Sequence, residues 1–296
     1  MSVEIGAENV KLSVVIPCFN AAGTIATQLE ALGGQRWSEP WEIIISDNGS
    51  TDETWTVVER YGGRLPNLRV IDSSDKCGAA HARNVGAQAA SGDALVFCDA
   101  DDEVAPGWVA AIGKALSEHD FVASRFEGGK LNEPWVLQSH RCPQQTGIQE
   151  YKYPPFLPHA GGCGLGIKRS LHILVGGFDE DILFLDDTDY CWRVQLAGAE
   201  LHFVPDAVIH IRYRDTIGGI YHQARLWAKQ NVYLYKKYRP LGMPKLSWKE
   251  GVKAWWRLLR DLPYIRRKEG LARWMWQFGW RVGRLQGCLG YRVLAL

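Results

Sequence analysis

The sequence predicts an α/β protein: a mostly parallel sheet with helices on both faces, followed by a helical C-terminal extension. Three observations predict it. Over roughly the first 125 residues, short apolar runs alternate with stretches of helical periodicity, the pattern of successive βα units joined by right-handed crossovers. Polar clusters recur where the apolar runs end, and in open α/β sheets ligands bind outside the carboxyl ends of the strands. From Lys245 onward, twelve Lys/Arg stand against three Asp/Glu and six of the thirteen tryptophans are found there, so a basic, Trp-rich tail follows an acidic body.

Taken in order, "LSVVI" (Leu12 to Ile16) reads as the first strand, ended by Pro17, with a helix near Ala22 to Ala31. "WEIIIS" is the second strand. In "DNGSTDE", Ser50 and Glu53 have capping-box spacing, which predicts a helix from there to about Tyr61. "LRVIDS" is the third strand and the alanine-rich "GAAHARNVGAQAA" the third helix. "ALVFC" is the fourth strand, and Pro106 suits the first position of another helix. "FVAS" closes the set. From Arg125 to Gly166 the periodicity fails, and a long irregular stretch inside a compact domain is usually functional. Helical spacing returns in "LDDTDYCWR", where Asp189 and Arg193 are placed to pair at i, i+4. "LHFVPDAVIH" reads as a final strand pair ending at His210, and the chain beyond Thr216 reads as helix.

Composition sets bounds. A chain of 296 residues, 46% hydrophobic and 23% charged, is an ordinary globular sequence with room for one large or two modest domains. No apolar run approaches the ~20 residues of a membrane span. The opening "MSVEIGAENVKLS" lacks the basic and apolar regions of a secretion signal. Seven cysteines, odd in number and without a C-x-x-C pair, suggest reduced thiols rather than a disulfide framework or a zinc site. The expectation is a cytoplasmic protein, with a domain over 1–215 divided near 105/106 and an extension over 216–296. The net charge of +1 conceals +9 after residue 244 and −8 before it. A basic, aromatic tail fits peripheral contact with an anionic membrane face through 245–296. The competing reading is a helical extension packed on the body. No nucleic-acid-binding motif accompanies the charge.

Chemistry concentrates at the strand ends. Pro17, Phe19 and Asn20 follow the first strand, Asp47 the second, and Asp99, Asp101 and Asp102 the fourth. Three carboxylates within four positions repel one another unless a cation or solvent compensates them. Strand alternation would send Asp99 and Asp101 to one side and Asp102 elsewhere. The alternative reading is an acidic cap for the following helix. At Asp47 a carboxylate can accept the N3–H of uracil or thymine, or it can form an Asx-turn into the next helix.

The ordered motifs "VVIPCFN", "SDNGSTD", "ARN", "CDADD", "GGFDE", "LDDTDYCWR" and "VPDAVIH" resemble the family 2 glycosyltransferases, over roughly Leu12 to His210. The resemblance implies the GT-A fold and an inverting transfer of a sugar from a nucleotide-diphosphate donor with Mn²⁺ or Mg²⁺. It implies that Asp101 and His210 bind the metal, that Asp99 lies near the ribose or the metal's waters, and that Arg83 meets the nucleotide. It maps the catalytic base onto Asp187, with Asp186 standing where the family has glutamate. It places the glycine-rich "HAGGCGLG", with Gly162 and Gly164, beside the acceptor, and Trp192 is expected on the same side. Arg212 and Arg214 are expected to fold over the donor diphosphate. "QARLW" (Gln223 to Trp227) resembles the Gln-x-x-Arg-Trp signature of processive relatives, one residue short. The expected acceptor is a saccharide or a lipid-linked sugar. The rival readings are a sugar nucleotidyltransferase, for which "VVIPCFNAAGT" lacks the triphosphate-binding cations, a glycoside hydrolase, and a non-catalytic sugar-nucleotide-binding scaffold.

Overall fold

The computed structural model describes residues 10–151 and 154–295, so Met1 to Asn9, part of the segment read for a leader, lies outside the described residues. Strands β1 (Leu12–Cys18), β2 (Trp41–Asp47), β3 (Leu68–Asp72) and β4 (Ala94–Phe97) run parallel in the order β3-β2-β1-β4, with α1 (Ile25–Gly33), α2 (Thr54–Glu59) and α3 (Ala79–Ala89) between them. The sheet continues as β7 (Leu165–Lys168), β6 (Phe121–Glu127), β8 (His202–His210) and β5 (Glu103–Val104). In that half β6 and β8 are parallel, while β7 is antiparallel to β4 and β6, and β5 to β8. The second half is therefore more mixed than the alternation of the first predicts.

Side-chain alternation on β1 explains both layers. Leu12, Val14 and Ile16 enter a core with α1 and with α4 (Trp108–Glu118). Val15 enters the opposite core, with α3 and with α7 (Asp186–Leu196). All four β1 side chains are fully buried. At 25 cal/mol per Å² a buried aliphatic side chain contributes about 1.5–3 kcal/mol, so this strand anchors both faces.

Several boundaries shift for identifiable reasons. Pro17 lies within β1, but the register of β1 with β4 ends at Val15 opposite Phe97, so the missing N–H falls beyond that ladder. Helix α2 starts at Thr54, because the Ser50 hydroxyl donates to Asp47 Oδ1 at 2.6 Å instead of capping, and Asp52 Oδ1 accepts from Thr54 N at 3.0 Å. Pro106 precedes α4, whose N-cap is Gly107 at φ 83°. The expected final strand pair is one strand, β8. Its register with β6 jumps from Ser124–Val204 to Arg125–Val208, leaving Pro205, Asp206 and Ala207 outside the pairing.

The irregular region holds the short α5 (Pro134–Ser139), and α6 (Arg169–Leu174) follows β7. The tail forms α8 (Ile217–Tyr238), α9 (Trp248–Arg260) and α10 (Lys268–Tyr291). Helix α8 shares a third core with α7, in which Trp192, Val232, Tyr238 and Ala295 are buried together. Helices α8 and α10 pack through Gly279, Gly283 and Gly287, one row at four-residue spacing. A Cβ at Gly279 would sit 2.6 Å from the Tyr221 carbonyl oxygen, and one at Gly283 would meet the Arg225 carbonyl. No described helix is long and apolar enough to cross a membrane.

Candidate active site

Beyond Phe97 the chain stops being a strand and turns through Ala100 and Asp101 before β5. Alternation lapses with it. Asp99, Asp101 and Asp102 all border one cavity of about 950 Å³, together with Arg83, Asp186 and Asp187. The expectation that Asp102 points elsewhere is therefore corrected. Asp102 is 4% exposed, and its Oδ1 accepts the Arg212 backbone N–H at 2.9 Å. Burial, then the charges of Asp99 and Asp101, push its carboxyl well above the usual range. Burial and Asp99 raise Asp101 as well, against the opposing pull of Arg214.

Arg83 ties the donor rim to Asp186, the neighbour of the candidate base. It projects from α3, is 5% exposed, and places Nη2 2.8 Å from Asp99 Oδ1 and Nη1 2.9 Å from Asp186 Oδ2. Burial opposes its charge, but Asp99 and Asp186 more than compensate, so it stays protonated. Its Nε has no hydrogen-bond partner among the described residues. Gly162 permits the approach: a Cβ there would stand 3.0 Å from Arg83 Nη2.

Asp186 and Asp187 open α7 behind Leu185, whose φ of 59° turns the chain sharply into the helix. Asp187 Oδ2 accepts the Gly162 N–H at 2.9 Å and Oδ1 accepts Thr188 N at 2.7 Å. Burial raises the Asp187 carboxyl, opposed by the Gly162 hydrogen bond. Asp186 is pushed up to about 7 by burial, which the Arg83 charge opposes and Asp187 reinforces. Burial and the second carboxylate thus outweigh the guanidinium. The predicted Asp189–Arg193 pair forms at 2.7 Å; Lys237 and the Tyr238 hydroxyl of α8 also reach Asp189.

The expected metal pair, Asp101 and His210, is not part of the three-residue group in which ligand atoms cluster among the described residues. Among the described residues, ligand atoms of Asp99, Asp102 and Cys163 lie within 4.8 Å of one another. Carboxylate oxygens fit a hard divalent cation such as Mn²⁺ or Mg²⁺. Burial raises the Cys163 thiol well above its usual range, which leaves it a neutral and poor ligand for such an ion. His210 ends β8 opposite Glu103, and its Nδ1 stands 2.6 Å from Glu127 Oε2. That contact leaves Nε2 as the nitrogen for a ligand, the arrangement by which a carboxylate orients a metal-binding imidazole. His210 itself does not line the cavity.

Other expected residues divide clearly. Arg212 and Arg214 line the cavity, and Arg212 Nε donates to the Asp101 carbonyl at 3.0 Å. Pro17, Phe19, Asn20 and Asp47 stand apart from its lining. Asp47 accepts the Ser50 backbone N–H at 3.2 Å, three residues on rather than the two of an Asx-turn, and the Ser50 hydroxyl, and its Oδ2 also accepts the Trp55 indole N–H at 3.2 Å. Asn20, at φ 49°, accepts from the Thr51 and Asp52 amides, and Phe19 beside it is 60% exposed. Gly164 at φ 90° packs on Ser124 and Ile209, a structural place rather than an acceptor contact. Trp192 is corrected outright: it is fully buried, donating Nε1–H to the Leu157 carbonyl, so no acceptor can reach it.

Sequence reasoning missed Cys163, the Arg83–Asp186 link and the Glu127–His210 contact. It gave little weight to Gln223 and Trp227, which both face the cavity one turn apart on α8. The irregular segment does border it, through Gln138, His140, Gln149 and Tyr151. For Cys163 the signal was its place inside a glycine-rich run.

A sheet of this topology carrying an acidic turn, a buried arginine and a helix-opening acid pair defines a glycosyltransferase-type α/β protein. The description "Glycosyl transferase family 2" matches residues 13–174, and the chain belongs to that family. It is 27% identical to the uncharacterized glycosyltransferase YwdF of Bacillus subtilis strain 168, over 90% of this chain and 95% of YwdF. It is 42% identical to the uncharacterized glycosyltransferase YibD of Escherichia coli K12, over 58% of this chain and 49% of YibD, so it spans about half of that relative. Among solved structures it resembles the mannosyltransferase PcManGT of Pyrobaculum calidifontis in complex with GDP-Man and Mn²⁺, with a TM-score of 0.61 and 19% identity over 98% of this chain and 77% of that one. It also resembles Staphylococcus aureus TarS 1-349 in complex with UDP-GlcNAc, with a TM-score of 0.54 and 16% identity over 95% and 92% of the two chains. These likenesses establish the GT-A fold.

Proposed function

We propose that this protein transfers a sugar, with inversion, from a nucleotide-diphosphate sugar to an acceptor hydroxyl. The observation that carries the reading is the single cavity shared by Asp99, Asp101, Asp102 and Asp187. One-step displacement needs charge compensation at the leaving group and a base at the attacking hydroxyl. A bound Mn²⁺ or Mg²⁺ would supply the charge that stabilises the departing diphosphate, and the Asp99, Asp101 and Asp102 carboxylates that line the cavity would hold it. Arg212 and Arg214 add positive charge at the same wall. Asp187 accepts the acceptor's proton, its basicity raised by burial and its carboxylate fixed by the Gly162 amide. Arg83 holds Asp186 away from that role and keeps Asp99 oriented.

The carrier is UDP or dTDP, its base reaching beyond the cavity lining toward Asp47, with Phe19 and Asn20 beside it. A structural neighbour bound to UDP-GlcNAc supports a uridine donor, and one bound to GDP-Man and Mn²⁺ supports metal use. The acceptor is a saccharide or lipid-linked intermediate of the cell envelope, taken up at the cytoplasmic membrane face. The outward row of α9 supports that location: Trp248, Val252, Trp256 and Leu259 are each more than half exposed.

The test is nucleotide release from a panel of sugar donors with and without Mn²⁺, comparing wild type with Asp187→Asn. The expected result is Mn²⁺-dependent release that falls by about 100- to 10,000-fold in the variant while donor binding persists. Equal turnover by Asp187→Asn would remove the base from the mechanism.

A further inference from the structure

Resting on the glycosyl-transfer reading and deepening it at the acceptor end, we propose that the acceptor carries phosphate and that a groove between α9 and α10 binds that group. The groove has a volume of about 800 Å³ and is bounded by α9, the turn Leu262–Arg266 and α10. Five arginines line it, Arg257, Arg266, Arg267, Arg273 and Arg281, against two acids, Asp261 and Glu269. Asp261, Arg273, Gln277 and Arg281 also line the active-site cavity, so the two spaces join along one wall. Arg273, Gln277 and Arg281 recur at i, i+4 and i+8, a single row of α10.

The guanidinium groups of this row lack counter-ions. Among the described residues no ion pair is formed by Arg257, Arg273 or Arg281. Arg281 is partly buried, and its Nε has no hydrogen-bond partner. Burial, then the like charges of Arg284 and Arg257, lower its pKa to about 10. A fold gains nothing by gathering unpaired cations in a recess, whereas a planar guanidinium matches phosphate oxygens in bidentate fashion. None of the carboxylates of the acidic turn lines the groove itself, although Arg273, Gln277 and Arg281 border both spaces. The groove lies under the helix whose outward face is apolar, with Trp256 66% and Leu259 63% exposed. A phosphate held there would join a lipid tail beneath α9 to a sugar entering the cavity.

The experiment titrates the full chain, by calorimetry, with dihexanoyl phosphatidic acid below its micelle point, with dihexanoyl phosphatidylcholine and with sodium pyrophosphate. The variants are Arg273→Ala, Arg281→Ala, Arg281→Lys and, as a distant surface control, Arg60→Ala. Arg273 is exposed, so its alanine variant keeps the helix even where Arg281→Ala fails to fold. Phosphatidic acid affinity is expected to fall about tenfold in each alanine variant, the worth of one charge-assisted contact, to be intermediate in Arg281→Lys, which keeps the charge but not the fork, and to stay near wild type in Arg60→Ala. Tighter binding of phosphatidic acid than of pyrophosphate supports a lipid-borne phosphate; equal binding supports phosphate alone as the recognised group. Unchanged affinity in Arg273→Ala and Arg281→Ala, or no binding of either phosphate probe by wild type, overturns the proposal. A thermal shift with UDP and Mn²⁺, run alongside, reports on the donor reading separately. Its failure would leave the phosphate site standing.

Discussion

Arg83 shows how much one residue carries here. Truncating it to alanine leaves Asp99 and Asp186 facing each other without their shared cation. Breaking a buried pair in this way costs roughly 3–5 kcal/mol, so Arg83→Ala should unfold at markedly lower urea concentration than wild type. Arg83→Lys should be intermediate, since an ammonium cannot fork to two carboxylates. The residue scale also shows where sequence reasoning reaches and stops. Asp187 and Arg83 were legible because motif spacing fixes their chain positions. Asp102 was misread because alternation applies to a strand, and the strand ends at Phe97. Trp192 was misread because a motif gives no direction. Five positions after Asp187 on a helix is about 140° round the axis, and that face meets α8.

At the scale of elements, the α10 glycine row sets how closely two helices approach. Gly283→Ala would drive a methyl group onto the Arg225 carbonyl, and backbone cannot yield as a flexible side chain does. The expected cost is about 1–3 kcal/mol or more, read as a lower Tm, whereas Gly290→Ala, with open space around it, should be neutral. The row was open to view in "GWRVGRLQG", but its partner on α8 was not, because helix pairing is a tertiary fact. Helix α9 makes the contrasting case. Its apolar row is exposed, so Trp256→Ser with Leu259→Ser should leave stability within about 0.5 kcal/mol of wild type. The same change should reduce co-sedimentation with anionic vesicles at least several-fold; undiminished binding would argue against a membrane-facing α9.

Across the whole molecule, acid sensitivity is built into two buried imidazoles. His159 and His172 are each 6% exposed, and burial lowers both pKa values to about 4. The unfolded chain therefore binds these protons at a higher pH than the folded one. The associated stability is intact above pH ~6.5 and is lost as the pH falls toward ~4, each group costing roughly 1–2 kcal/mol at pH 5. The raised carboxylates of the cavity act in the opposite sense, so the clean measurement is a difference. His172→Gln, which keeps a partner for the Tyr190 hydroxyl, should lose less stability between pH 7.5 and 5 than wild type in urea titrations. At this scale the parallel half of the sheet was legible from local periodicity, while the order of β5 to β8 was not, because those strands pair across long separations. The same distinction governs the tail. Composition marks it as a different segment, yet Ala295, with Cys288, Tyr291 and Val293, joins Trp192, Val232 and Tyr238 in one hydrophobic cluster behind the candidate base. The C-terminal helices are thus no detachable module: cutting the chain after Pro244 would strip a wall from the catalytic body, and grafting them onto a relative would require transplanting the second face of α7 with them.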